Sequence, residues 1–109
     1  MGQLGLMGIN VPTKYEGSDI DTVAFLTAII KLAKVDASVA ITMASHKSLG
    51  ILPLLLFGNE RLKKKYLPKI ASGETLSVFG LTEPYAGSDK ELIETTAVKE
   101  GKKYIVNGG

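Results

Sequence analysis

Cysteine and tryptophan are absent from the 109 residues, and histidine occurs once. No disulfide, thiol nucleophile or cysteine-based zinc site is therefore available. The single histidine, His46, has no Cys, Ser or Asp arranged around it as a catalytic triad would require, and it reads as a packed or hydrogen-bonded helix residue. Charge of one sign is also scarce. Thirteen basic residues against 11 acidic ones leave a formal net charge of +2, which gives no reason to expect nucleic acid as a partner. Part of the basic complement is one run, Arg61-Leu62-Lys63-Lys64-Lys65, which reads as the solvated face of a short helix. No uninterrupted apolar run approaches about 18 residues, so no membrane span is expected. The start, Met1-Gly2-Gln3-Leu4-Gly5, lacks the basic opening and cleavage site of a secretory signal. The expected compartment is the cytoplasm, or the mitochondrial matrix if a leader has been lost. Asp19, Asp21 and Asp36 fall at helix starts, where capping and dipole complementarity account for them, and no metal set is expected.

What is present is an ordinary globular composition, 45% hydrophobic and 22% charged, enough apolar material to exclude a disordered tail. The first half reads as helical. Ser18-x-x-Asp21 fits a capping box, and a helix from Asp19 to about Val35 is apolar around most of its girth, hence mostly buried. Asp36 starts a second helix to about Leu49, rich in small residues. Gly50 marks a break, Pro53 sits in the first turn of a short helix ending at Phe57, and Gly58-Asn59 stops it. Glu60–Tyr66 suits an exposed helix that Pro68 limits. After Gly73 the texture changes. Thr75–Leu81 reads as a strand, and Thr95–Lys99 and Lys103–Val106 as two more around Glu100-Gly101. Three strands make a poor sheet alone, so the chain reads as cut inside a domain.

The densest chemical signal is Phe79-Gly80-Leu81-Thr82-Glu83-Pro84-Tyr85-Ala86-Gly87-Ser88-Asp89. It is a strand leading into a tight loop with a hydroxyl at each end. Pro84 fixes one backbone angle, and Gly87 permits close backbone approach or positive φ. Such a loop can aim N–H groups and the Thr82 and Ser88 hydroxyls at a heteroaromatic edge or a phosphate.

This run resembles the flavin-binding segment of the acyl-CoA dehydrogenase family, with its Thr-Glu-Pro-x-Ala-Gly-Ser-Asp pattern. The resemblance extends along the chain through Gly5-Leu6-Met7-Gly8-Ile9-Asn10-Val11-Pro12, Ser48-Leu49-Gly50, Phe57-Gly58-Asn59-Glu60, Lys65-Tyr66-Leu67-Pro68-Lys69, Thr95-Thr96-Ala97 and Tyr104-Ile105-Val106-Asn107-Gly108. It implies an α+β fold: a helical bundle segment followed by the first strands of a β-barrel-like domain, incomplete. Residues 1–73 would be part of the N-terminal helical domain and residues 74–109 the start of the middle β-domain.

The resemblance also implies FAD as cofactor, with Phe79, Leu81, Thr82, Gly87 and Ser88 as its contacts. Ser88 would touch the pantetheine arm of an acyl-CoA as well. Ile41, Thr42, Ser45 and Leu49 would line the acyl-chain pocket, although Ile41 and Leu49 read equally well as bundle core. The implied reaction oxidises an acyl-CoA to the 2,3-enoyl-CoA. A Glu outside this chain takes the α-proton and the β-hydride goes to flavin N5, so the segment itself contributes no catalytic residue and is expected to be inactive alone. Electron-transfer flavoprotein or a similar acceptor and a homotetrameric full-length protein follow from the same resemblance. Tyr85, Lys90-Glu91 and Glu94 depart from the usual pattern in the cofactor-arm region. A non-catalytic helical assembly or acyl-binding module, or an oxidase-type relative, would share these motifs.

Overall fold

The computed structural model describes every residue, Met1–Gly109, and divides them into two compact units, Met1–Phe79 and Gly80–Gly109. The chain is α+β, helical first and closed by one antiparallel hairpin.

The first unit opens with three short 3-10 turns, Gly2–Leu4, Leu6–Gly8 and Thr13–Tyr15. The amides of Ser18, Asp19 and Ile20 then donate to the carbonyls of Gly8, Val11 and Ile9 at 3.0, 2.9 and 2.8 Å. These bonds commit residues 18–20 to the N-terminal turns, with Asp19 at φ 50°, so the helix cannot start where the capping-box reading put it. Helix α1 runs Thr22–Ala33, and Asp21 rather than Ser18 caps it, accepting from the Val23 and Ala24 amides at 2.7 and 2.9 Å. Asp19 lies ahead of the helix and is not its cap. Nor is α1 mostly buried. Phe25 alone is buried, while Val23, Leu26 and Ile30 are exposed, because α1 packs mainly on α2 and meets the N-terminal turns only around Ile9.

Helix α2, Ala37–Ser45, is capped by Asp36, whose carboxylate accepts from the Ser38 and Val39 amides at 2.8 and 3.2 Å. The bonds from Val39 and Ser38 hold its carboxyl below the ordinary value. The expected break at Gly50 does not occur. Instead the helix widens into a π-turn, His46–Ile51, in which the Leu52 amide reaches back to the Lys47 carbonyl, and it continues as α3, Leu52–Phe57. The three pieces form one 21-residue helical run, Ala37–Phe57, long and apolar enough by length and composition to cross a membrane. The sequence hid this because Ser45-His46-Lys47-Ser48 interrupts the apolar letters while the backbone carries on through them. The same run supplies Met43 and Ile51 to the unit's two hydrophobic clusters, as a core helix does.

Helix α4, Glu60–Ser72, starts at Asn59, whose side chain accepts from the Leu62 amide at 2.9 Å. It runs through Pro68 to Gly73 in the left-handed region at φ 77°, six residues beyond the expected end at Tyr66. Proline removes one intrahelical bond, but burial of Leu67, Ile70 and Ala71 anchors the last turns. One cluster joins Val11, Tyr15, Ile51, Leu67, Ile70 and Ala71, and the other joins Ile9, Phe25 and Met43. The buried Tyr15 ring directs its hydroxyl to the Glu60 carboxylate at 2.9 Å. The expected strand Thr75–Leu81 is extended backbone without a ladder partner. A strand needs a neighbour, and α4 and the π-turn do not offer one.

The second unit is built differently. Glu83 and Ala86 exchange amide–carbonyl bonds at 2.9 and 3.2 Å across the tip Pro84-Tyr85. A 3-10 turn, Lys90–Leu92, follows. Strands β1, Thr96–Glu100, and β2, Lys103–Asn107, then pair antiparallel from Thr96↔Asn107 to Glu100↔Lys103. Gly101 takes φ 60° at the first position of the two-residue turn, the placement that a II′ hairpin requires of glycine. Ala86 is the unit's only buried hydrophobic residue.

Candidate functional site

Two surfaces carry the residues singled out from the sequence. On the first unit, Ile41, Thr42, Ser45 and Leu49 lie on one side of α2 and its π-turn, as helical spacing dictates. They line a groove of about 320 Å³ whose remaining wall is His46, Leu76, Ser77, Val78 and Phe79. Ile41 is 66% exposed and Leu49 48%, so both are groove surface rather than bundle core. Most of the accessible lining is apolar, and the Thr42 hydroxyl is turned back onto the Ser38 carbonyl at 2.8 Å. Such a surface suits a hydrocarbon chain better than a charged group.

His46 stands at the base of this groove, buried at 3% exposure. Its Nε2 is 3.2 Å from the Ile70 carbonyl, and the Ser77 amide donates to Nδ1 at 3.3 Å. Burial pushes its pKa down, opposed by the Ile70 bond. A neutral ring with both nitrogens engaged by backbone is not poised as a general base. Leu76, Ser77, Val78 and His46 were not among the sequence candidates for this surface. The available signal was Gly50, because a Cβ there would run into the side chain of Ser77.

On the second unit, the loop after Gly80 is held by its acidic residues. The Glu83 carboxylate accepts from the Glu94 and Thr95 amides at 2.8 and 3.2 Å. The Thr95 side chain and the Glu94 amide hold its carboxyl below the ordinary value. Asp89 accepts from the Glu91 amide at 3.1 Å and caps the following turn. The hydroxyls of Thr82 and Ser88 behave differently, since both residues are exposed and neither hydroxyl has a partner within the chain. Gly87 is not at positive φ, and a Cβ added to it would meet nothing within 4 Å. Of the two roles open to Gly87, backbone freedom is thus removed, and close approach by something outside the chain remains. Leu81 is also exposed, at 46%, and Phe79, the last residue of the first unit, is 53% exposed. The loop of the second unit fits a flat, hydrogen-bonding group such as a flavin: it is fixed, with free hydroxyls, an unobstructed glycine and an exposed apolar side chain.

No group of three or more His, Asp or Glu side chains is gathered as a metal site. Asp21 and Asp36 are spent on helix caps.

Residues 1–74 match the family described as acyl-CoA dehydrogenase, N-terminal domain. The chain belongs to the acyl-CoA dehydrogenase family. Among curated relatives, an acyl-CoA dehydrogenase of Bacillus subtilis is 46% identical over 99% of this chain and 28% of its own length. The human mitochondrial very long-chain specific acyl-CoA dehydrogenase is 42% identical over 97% of this chain and 16% of its length. The chain thus spans less than a third of these acyl-CoA dehydrogenases. Among solved structures, butyryl-CoA dehydrogenase from Megasphaera elsdenii superimposes with a TM-score of 0.90 at 40% identity, over 98% of this chain and 29% of that one. Acyl-CoA dehydrogenase complexed with FAD from Bacillus anthracis gives 0.88 at 43% identity, over 98% and 19%. A chain from work on the electron transferring flavoprotein of Acidaminococcus fermentans gives 0.93 at 44% identity, over 99% and 28%.

Proposed function

We propose that this chain is the part of an FAD-dependent acyl-CoA dehydrogenase that binds one face of the flavin and the acyl chain of the substrate. Residues 1–73 serve as helical domain and residues 74–109 open the β-domain. The observation that carries this reading is the division of labour in the loop 82–89. Glu83 and Asp89 are consumed in holding it, whereas Thr82, Ser88 and the open side of Gly87 are left free. Structural need within the chain accounts for the first pair and not for the second set.

In this reading, the backbone at Leu81 and Thr82 and the Thr82 hydroxyl hold the flavin, with Phe79 beside it and Gly87 allowing approach. Ser88 holds both FAD and the pantetheine arm. Ile41, Thr42, Ser45 and Leu49 take the acyl chain and exclude water from it. FAD, when bound, supplies the hydride acceptor for oxidation of an acyl-CoA to the 2,3-enoyl-CoA. A Glu outside this chain takes the α-proton, and the segment alone does not turn over. Electron-transfer flavoprotein serves as acceptor, and the full-length protein is a homotetramer.

FAD titration of the full-length protein carrying this segment, monitored by flavin fluorescence, tests the reading. Thr82→Ala and Ser88→Ala should each weaken binding by about fivefold to tenfold, the value of one lost hydrogen bond, without shifting the melting temperature. No saturable FAD binding by the folded protein would sink the enzyme reading and favour a non-catalytic acyl-binding module.

A further inference from the structure

His46 is the one buried polar side chain of the chain, and it opens the π-turn. Its two nitrogens are committed to different stretches of backbone, Ile70 near the end of α4 and Ser77 in the extended segment. An amide can only donate and a carbonyl only accept, so the ring is fixed as the neutral Nε2–H tautomer with its Nδ1 lone pair on Ser77. One turn further on, Gly50 brings the helix backbone so close that an added Cβ would stand 2.8 Å from the Ser77 carbonyl. The segment has little else to hold it. The Thr75 amide reaches the Lys69 carbonyl at 3.1 Å, and between there and Glu83 the Ser77 bond to His46 is the only hydrogen bond an amide makes. This segment, Leu76–Phe79, is the wall of the groove that faces Ile41 and Leu49.

We propose that His46 is the positioning residue of the groove. Its Nδ1 holds Ser77, and with it the Leu76–Phe79 wall, at the distance from α2 that sets how large an apolar chain can enter. That this chain is an acyl group rests on the function proposed above. The placement of a π-turn at this point agrees with a built feature, since such turns recur where a helix is shaped around a site. Protonation would replace the Nδ1 lone pair by a second donor facing the Ser77 donor and would release the wall. The charged groups on the surrounding elements are engaged elsewhere or exposed. Lys47 lies 4.6 Å from the Phe25 ring centroid, Lys69 pairs with Glu74 at 3.1 Å, and Arg61, Lys64 and Lys65 are exposed on α4. Lys63 leans toward Glu60, which also receives the Tyr15 hydroxyl.

The chain has a single histidine, so its imidazole 15N signals are unambiguous. They should report the Nε2–H tautomer at about pH 7.5, and an Nδ1–H tautomer would overturn the proposal. Two substitutions separate positioning from mere packing. His46→Asn keeps an acceptor near the Nδ1 position, whereas His46→Gln keeps a donor near the Nε2 position. With both variants folded by circular dichroism, Ser77 amide exchange should stay near the native rate in His46→Asn and rise about fivefold to tenfold in His46→Gln. Equal exchange in the two variants overturns the proposal whatever the groove binds. The relative affinity for C4, C8 and C16 acyl thioesters should change in His46→Gln and not in His46→Asn, and an unchanged preference in both refutes the size-setting role. If the native chain binds no acyl thioester while exchange still follows the acceptor, the acyl reading fails and the positioning of the wall by His46 stands.

Discussion

The two units of this chain are held together by different physics. Residues 1–79 form two clusters of buried side chains, with Val11, Ile51, Leu67 and Met43 at 2% exposure or less. Residues 80–109 bury one alanine and rely on a hairpin ladder and two carboxylates bonded to backbone amides. Apolar packing defines where whole elements lie, but it gives a groove only through the side chains left outside. Carboxylate-to-amide bonds order a short loop without any core, and they leave neighbouring hydroxyls available. The acyl surface and the flavin loop we propose thus sit on the kind of scaffold each needs.

Breaking the comparison begins in the core. Leu67→Ala, at a fully buried position, should cost the first unit about 2–5 kcal/mol in urea denaturation. A loss under about 1 kcal/mol would show that packing is not what holds that unit. In the second unit, Gly101→Ala forces a side chain to φ 60° and should destabilise the hairpin by about 1 kcal/mol. Amide exchange along β1 and β2 would report it, with α4 unaffected.

Acid should separate the units by pH. His46 has a lowered pKa when folded, so below its unfolded value of 6.5 the unfolded chain takes up a proton that the folded unit refuses. The first unit should lose stability as pH falls from there to the lowered folded value and then level off with respect to this group. Glu83 is also lowered, but from 4.5, so its contribution is complete above that value and is lost only as pH falls through the window beneath it. Chemical-shift titrations of Ser77 and Thr95 amides would show the two windows. Coincident transitions would erase the distinction between the units. The smallest effect is expected for Gly87→Ala, whose Cβ meets nothing in the chain, and stability should move by no more than about 0.5 kcal/mol. FAD binding should nevertheless weaken.

What could be read from the sequence was local. Asp36 and Gly58-Asn59 mark helix ends because capping depends on residues a few positions away. The hairpin turn at Glu100-Gly101 is legible for the same reason, and each strand start falls within a residue of the reading. The α+β order and the family resemblance were legible as well. The readings that failed depend on distant partners. Residues 18–20 are withheld from α1 by bonds to residues 8–11, and Pro68 is carried inside α4 by burial of Leu67, Ile70 and Ala71. The Glu83 clamp spans 11 and 12 residues, and the groove wall arrives 31 residues after His46. No periodicity within a window of one helix contains these pairs.

The π-turn has a consequence for chain length. Successive residues of a helix are set about 100° apart around its axis. The extra residue that a π-turn accommodates is therefore a fixed phase offset between α2 and α3. Deleting one residue between His46 and Ile51 would let an ordinary α-helix close the gap with the side chains from Leu52 onward kept on their faces; forcing an α-helix through the turn with no deletion would swing all of them by about that angle. Leu54 and Leu55, now against the Val11–Leu67 cluster, would be carried off it while the Met43 side kept its place. The helix from Ala37 to Phe57 serves two cores because it is one residue out of step with itself.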